Sequence, residues 1–356
     1  MASGNPSVST RAPRPPGSRR RAWIIVGILS VAVLLLAGGY TVFWYQAGKQ
    51  LIAGIEGWQA ERRAEGWFVV YDSLSVGGYP FRFRVRLDNP VVGRPAAQTW
   101  SWRADSLDVA APPWAPERLR YTAIDSHFTY NLRGLSRDIL LSSPRVSGDV
   151  TLRHGAIDGL TAAAEKPLLD LITLPAPITA NQFDLALRRP AEAGVTLDGS
   201  FAATALDGPL EALDKLGGTI DRLAADIQVT GPIPSDGKLK ERVTAWRDGG
   251  GTIEAKKVHL AWGPLIADGD GTLTLDEMMR PLGAFATSLR GLSDFIDLLV
   301  KAGLVNNRAA SGIRISVGLL AGRNAAGGVI LPLNAQFGKL SIGPVVVAEL
   351  PPLQLD

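Results

Sequence analysis

The sequence predicts an α+β chain that is mainly β: an N-terminal transmembrane helix, then a large antiparallel, curved β-sheet domain with a few packing helices. Three observations carry this. A charge-free apolar run extends from Trp23 to Trp44, a period-two alternation of apolar and polar residues recurs towards the C-terminus, and 356 residues include 39 Gly and 24 Pro. That much Gly and Pro suits many short strands joined by turns better than a helical bundle.

In chain order, residues 1–21 are rich in Ser, Pro and Arg and read as a disordered cytoplasmic tail. Five Arg (Arg11, Arg14, Arg19, Arg20 and Arg21) precede residue 22, and no acid occurs before Glu56. Residues 22–48 form the expected transmembrane helix. From Trp23 to Trp44, at about 1.5 Å per residue, it spans roughly 33 Å, enough to cross a bilayer core. The basic cluster before it, with Arg19, Arg20 and Arg21 as topology determinants, places the N-terminus in the cytoplasm and the main domain in the periplasm of a bacterial inner membrane protein. Trp23 at one end and Tyr40, Trp44 and Tyr45 at the other suit the two membrane interfaces as anchors. A cleavable signal would need Ala37-Gly38-Gly39 as its cleavage site, but signal cores run only about 7–15 residues.

Residues 49–66 continue as a juxtamembrane helix, with Leu51, Ile55 and Trp58 on one stripe and a stop at Gly66. Residues 67–356 are the β-rich domain. Its clearest strand signal is Phe81, Phe83, Val85 and Leu87 alternating with Arg82, Arg84, Arg86 and Asp88. Gly77-Gly78 marks the turn before it and Asn89-Pro90 its end. Similar runs recur at Leu107/Val109, Phe183/Leu185/Leu187, Val195/Leu197, Ile227/Val229, Val258/Leu260/Trp262, Leu273/Leu275, Val329/Leu331/Leu333 and Leu340/Ile342. Asp198-Gly199, Asp207-Gly208 and Asp270-Gly271 read as turns between strands. Helices are expected near Thr161–Ile172, Leu206–Leu216, Gly237–Arg247 and Leu289–Val305.

Composition and motifs exclude much chemistry. Without the N-terminal Arg cluster the chain carries slightly more acid than base, so it lacks the basic footprint of a nucleic-acid binder. With no Cys there is no disulfide, thiolate metal site or Cys nucleophile. The three His (His127, His154 and His259) lack metal-ligand spacing, and no G-x-S-x-G elbow, P-loop or G-x-G-x-x-G occurs. Ala267-Asp268-Gly269-Asp270-Gly271 resembles the start of a calcium loop but lacks the third oxygen ligand and the distal Glu, and a hairpin turn between Trp262 and Leu273 is the expectation there. Nothing implies a cofactor.

The anchor is followed by Trp58-Gln59-Ala60-Glu61-Arg62-Arg63-Ala64-Glu65-Gly66-Trp67, then by Tyr71-Asp72-Ser73-Leu74-Ser75-Val76-Gly77-Gly78-Tyr79-Pro80-Phe81-Arg82-Phe83 and Ala111-Pro112-Pro113-Trp114. Gly343-Pro344 and Leu350-Pro351-Pro352-Leu353 complete the pattern. In these segments the chain resembles the DUF2125 family of alphaproteobacterial membrane-anchored proteins, whose motifs carry no assigned chemistry. More distantly, the anchor and amphipathic strands look like AsmA-like envelope proteins, a likeness that implies an open sheet with an apolar face and a link to lipid homeostasis. The expected function is therefore a non-enzymatic envelope protein. Its partners would be the bilayer through residues 22–48 and a lipid or envelope protein on an apolar strand face including Phe81, Phe83, Val85 and Leu87. The alternatives are a periplasmic carboxylate-dependent hydrolase and a purely structural assembly factor.

Overall fold

The computed structural model describes residues 18–94, 100–130, 139–171, 174–190, 195–209, 218–234, 239–320, 322–323, 329–342 and 345–353. Most of the N-terminal tail and Gly343-Pro344 lie outside these residues. The chain separates into two compact units, Met1–Ile55 and Glu56–Asp356.

Helix α1 (Ser18–Ala64) is unbroken, so the membrane span and the juxtamembrane helix are one element. It is long and apolar enough from Trp23 onward to cross a membrane. It stops at Gly66, whose φ of 81° is open to a residue without Cβ. The Gly66 N–H donates to the Arg63 carbonyl (3.0 Å) and the Trp67 N–H to the Arg62 carbonyl (2.9 Å), the paired bonds of a Schellman stop. Gln59 and Arg63 both donate to the Val69 carbonyl, tying the helix end to the first strand.

Twenty-one described strands join one antiparallel sheet. The first group comprises β1 (Phe68–Val70), β2 (Ser73–Gly77), β3 (Phe83–Asp88), β4 (Val91–Arg94), β5 (Trp100–Arg103), β6 (Ser106–Ala111), β7 (Arg118–Tyr130) and β8 (Ile139–Arg153). Then come β9 (Ala156–Glu165), β10 (Leu168–Asp170), β11 (Ile178–Thr179), β12 (Gln182–Arg188), β13 (Val195–Leu206) and β14 (Ile220–Thr230). Helix α2 (Leu239–Asp248) leads to β15 (Thr252–Trp262), β16 (Leu265–Leu275) and β17 (Pro281–Arg290), and helices α3 (Leu292–Lys301) and α4 (Asn307–Leu320) to β18 (Gly322–Arg323), β19 (Val329–Gln336), β20 (Lys339–Ile342) and β21 (Val345–Glu349).

The main run of the sheet is β2-β3-β6-β7-β8-β9-β12-β13-β14-β15-β16-β17-β19-β20-β21. It forks within β7 and β8. The first half of β7 pairs with β6 and its second half with β5, and likewise β8 pairs first with β10 and then with β9. At the fork Asp125 turns to φ 50° and buried serines take up backbone bonding. Ser143 Oγ lies 2.8 Å from the Arg145 carbonyl and 2.7 Å from that of Glu165, and Ser126 Oγ accepts from Trp102 Nε1 at 2.9 Å. A small hydroxyl can satisfy polar groups that a change of ladder partner would otherwise strand.

Several local expectations are corrected. Of the expected Thr161–Ile172 helix, residues 161–171 are not helical and Ile172 lies outside the described chain: Leu160, Ala162 and Ala164 of β9 stand opposite Leu187, Leu185 and Phe183 of β12. Ala and Leu favour helix in isolation, and sheet packing overrides that preference. Asp198-Gly199 and Asp270-Gly271 are not turns but mid-strand pairs in β13 and β16. The hairpin turn after Trp262 falls at Gly263-Pro264, with Gly263 at φ 54°. Gly271 is needed because a Cβ there would meet the Ala284 carbonyl oxygen at 2.4 Å and the Phe285 ring at 2.4 Å. Of the expected Leu206–Leu216 helix, Leu206 ends β13 and residues 210–217 lie outside the described chain. Helices α2 and α3 fall where the apolar spacing placed them.

Candidate functional site

Strand register carries one apolar face along the main run from β2 to β19. A single row of cross-strand partners reads Leu74, Leu87, Leu107, Ala123, Val146, Ala164, Phe183, Ala203, Leu223, Leu260, Ala267, Leu289 and Val329, from β2 to β19 without a polar residue. Partners directly opposite point to the same side of a sheet. A parallel row runs Leu185, Phe201, Ala225, Val258, Gly269, Thr287 and Leu331.

In these rows several alanines are buried while most of the large side chains are only half-buried, Leu331 at 2% exposed being the exception. Ala123, Ala203 and Ala225 are 3%, 4% and 7% exposed, whereas Phe183, Leu185, Phe201, Leu223, Val258 and Leu260 are only half-buried. Large side chains thus shelter the alanines beneath them and keep their own outer surface uncovered. In a sheet sealed by a second layer the large side chains would be the buried ones.

Described helices cover only parts of this face. Phe295 of α3 packs on Trp262 with ring centroids 5.2 Å apart, and Phe295 and Ile296 are buried. Trp246 of α2 is buried at the other end of β14 and β15, its Nε1 donating to the Thr230 carbonyl at 2.7 Å. Between α2 and the sheet lies a slot of about 410 Å³ bordered by Val229, Ile253 and Leu273 of the apolar face.

The opposite face is wet and laced with ion pairs. Arg84 and Arg86 hold Asp108, Arg120 holds Asp149, Arg188 holds Asp198, and His259 and Arg290 hold Asp268. The Ser73 hydroxyl, then Arg86, hold the Asp88 carboxyl below its usual range. Arg188, with help from Gln228, does the same for Asp198, and the 2.7 Å bond from His259 Nδ1 does so for Asp268. A broad polar basin of about 920 Å³ lies here, floored by Ala163, Ala186, Ala202 and Ala224 and ringed by Arg120, Arg145, Arg222, Lys257 and His259.

On the apolar side, burial and the Asp149 charge raise the Tyr121 hydroxyl, which donates to the Thr161 carbonyl at 2.9 Å. The neighbouring Asp149 N–H is taken by Thr161 Oγ1, so a break in the β8–β9 ladder is satisfied locally.

His259, Asp268 and Ser288 stand side by side on β15, β16 and β17, with Asp268 in the middle. Proton relay from a serine needs the imidazole between hydroxyl and carboxylate, and here the carboxylate is central. His127 meets Asp125 at 3.2 Å, and His154 sits in the β8–β9 turn. Among the described residues no group of three or more potential metal ligands converges.

Of the strand residues expected to face lipid, Phe83, Val85 and Leu87 lie on the apolar face, with Val85 buried. Phe81 does not join them: it belongs to the turn closed by the Arg82 N–H bond to the Gly78 carbonyl, before β3 begins, and is 70% exposed. Trp23 and Tyr45 are exposed on α1, the rings of Trp44 and Tyr45 meet edge-on at 5.4 Å, and Tyr40 lies 6.3 Å from Phe43. Arg19, Arg20 and Arg21 fall in the first turn of α1. Trp67, Trp100 and Phe128 form an aromatic chain on the β1–β5 arm. Sequence reasoning missed the alanines and glycines of the apolar face, which carry little hydropathy signal, and the slot under α2.

No curated protein and no solved structure matches the chain. Residues 44–351 match the family described as an uncharacterized protein conserved in bacteria, DUF2125. The match covers the end of α1 and nearly the whole sheet, and by it the chain belongs to the DUF2125 family.

Proposed function

We propose that the chain is a non-enzymatic, membrane-anchored envelope protein that offers the open apolar face of its sheet to lipid acyl chains. The carrying observation is the unbroken apolar row from Leu74 to Val329 whose large members keep exposed surface. Burying an acyl chain gains about 0.8 kcal/mol per CH₂, so such a face holds a chain without a polar recognition motif. The AsmA-like architecture expected from the sequence supports the same reading. The basic cluster before α1 supports a cytoplasmic N-terminus and a sheet domain in the periplasm, anchored in the inner membrane.

A photoreactive benzoyl-phenylalanine placed in the full chain at Phe201 or Leu223, on the apolar face, should give adducts of lipid mass in intact cells. The same group at Arg222 or Asp226, on the wet face, should not. Adducts to protein from the apolar positions would favour an assembly role, and equal yields from both faces would remove the case for a lipid-bearing surface. A reporter active only in the periplasm, fused at residue 60, should be active. Activity of a cytoplasmic reporter at the same point would reverse the topology.

A further inference from the structure

The slot between α2 and the sheet differs from the rest of the apolar face in having a wall on each side and one cation. Leu239, Arg242, Val243 and Trp246 recur at i, i+3, i+4 and i+7, so all four share the helix face turned to the sheet. Across from them lie Val229, Ile253 and Leu273. The volume of about 410 Å³ is within the range of small-molecule sites.

Two features separate it from a packing gap. Its rim is apolar where water should favour polar groups: Leu239, Leu353 and Ile233 are 55%, 46% and 41% exposed. And Arg242 occupies the apolar stripe of the helix. Its Nε donates to the Pro234 carbonyl at 2.7 Å, which fixes the guanidinium beside the slot, and among the described residues it has no ion-pair partner. Arg247, one turn on, is by contrast used up on the Asp276 and Glu277 carbonyls and on Asp248.

We propose that this slot takes one acyl chain of an anionic amphiphile, with the anionic headgroup held at Arg242 and the chain running between α2 and the sheet. This rests on the reading of the apolar face as a lipid surface and assigns it a defined seat and a charge preference. A guanidinium presents paired N–H donors that match a carboxylate or a phosphate, so the headgroup chemistry is a compact oxyanion. The chain end lies against Val229 and Ile253, where the slot continues into the open face.

The test uses the full-length protein in phosphatidylcholine nanodiscs with four photoreactive probes: a diazirine C18 fatty acid, the matching C18 alcohol, and diazirine phosphatidylglycerol and phosphatidylcholine. Peptide mapping should place the label of at least one anionic probe on α2 or on the Ile253 and Leu273 strands. Its neutral counterpart should label these peptides at least tenfold less. Labelling by the free acid or by phosphatidylglycerol tells a free amphiphile from a membrane phospholipid. Arg242→Gln should erase the preference for the anionic probe, and Val243→Trp should remove slot labelling altogether; the map of the unaltered protein decides even if either variant misfolds. Label spread over the Phe183 and Phe201 strands but absent from α2 and from the Ile253 and Leu273 strands overturns this proposal and keeps the broader one. Equal labelling by neutral and anionic probes overturns the role of Arg242, and no label on the sheet overturns both readings.

Discussion

At the scale of single residues the sheet is governed by which face a side chain occupies. Val85 is buried between Val76 and Val109, while Arg84 beside it is exposed and pairs with Asp108. Val85→Asp should cost about 3 kcal/mol by placing a carboxylate among apolar neighbours. Arg84→Ser should cost at most about 1 kcal/mol, as exposed ion pairs do. Thermal melts of the two variants compare them, and similar losses would mean that the two faces are not distinct. Asp268 is held below its ordinary value of about 3.8 by His259 and then Arg290. A carboxyl more acidic in the folded chain stabilises fully above its unfolded value, and that stabilisation is lost as pH falls through the lower folded value. Asp268→Asn should therefore lower stability at pH 7 and flatten the decline below about pH 4, as read from melts across pH. An acid limb unchanged by the substitution would show that Asp268 is not among the groups responsible.

At the scale of elements, the alternating strands were legible and the small residues were not. Phe183, Leu185 and Leu187, or Val258, Leu260 and Trp262, announce a strand because a large apolar residue at every second position has no other use. Ala162 and Ala164 announce nothing, and with Leu and Glu nearby they read as helix until Phe183 and Leu185 are seen opposite them. The Asp-Gly pairs misled for a related reason. Turn chemistry and mid-strand chemistry both use glycine, the first for its backbone freedom and the second for its missing side chain. Gly271 is of the second kind, with the Phe285 ring lying over it. Gly271→Ala should lose about 1–3 kcal/mol by overpacking, whereas Gly27→Ala, inside a helix with nothing within 4 Å, should not destabilise. Calorimetry on both variants settles it, and a neutral Gly271→Ala would mean that the strand has room to shift. Neither the slot nor the place of Arg242 in it could be read from sequence, because each depends on how α2 folds back over the two strands that flank it and over β16.

At the scale of the whole molecule, the apolar face is a collective property of register. A one-residue slip in any strand would turn its apolar members to the wet side and break the row. The three irregularities in β14–β16 pairing and at Val195 are compatible with it because Leu197, Ile227, Val258 and Leu273 keep their side on either flank of each shift. From β13 to β17 every strand pairs with the one made just before it. Ribosomes add only about 5–20 residues per second, far slower than hairpin formation. The sheet can thus be laid down during synthesis, each strand using the preceding edge as its template, and no closing step has to wait for the C-terminus. Chains truncated after Arg290 should already resist brief proteolysis between β12 and β16, and cleavage there until β19–β21 are added would refute growth from one edge. Each described strand from β13 to β17 thus needs only the edge laid down before it, as a wall needs only the course below.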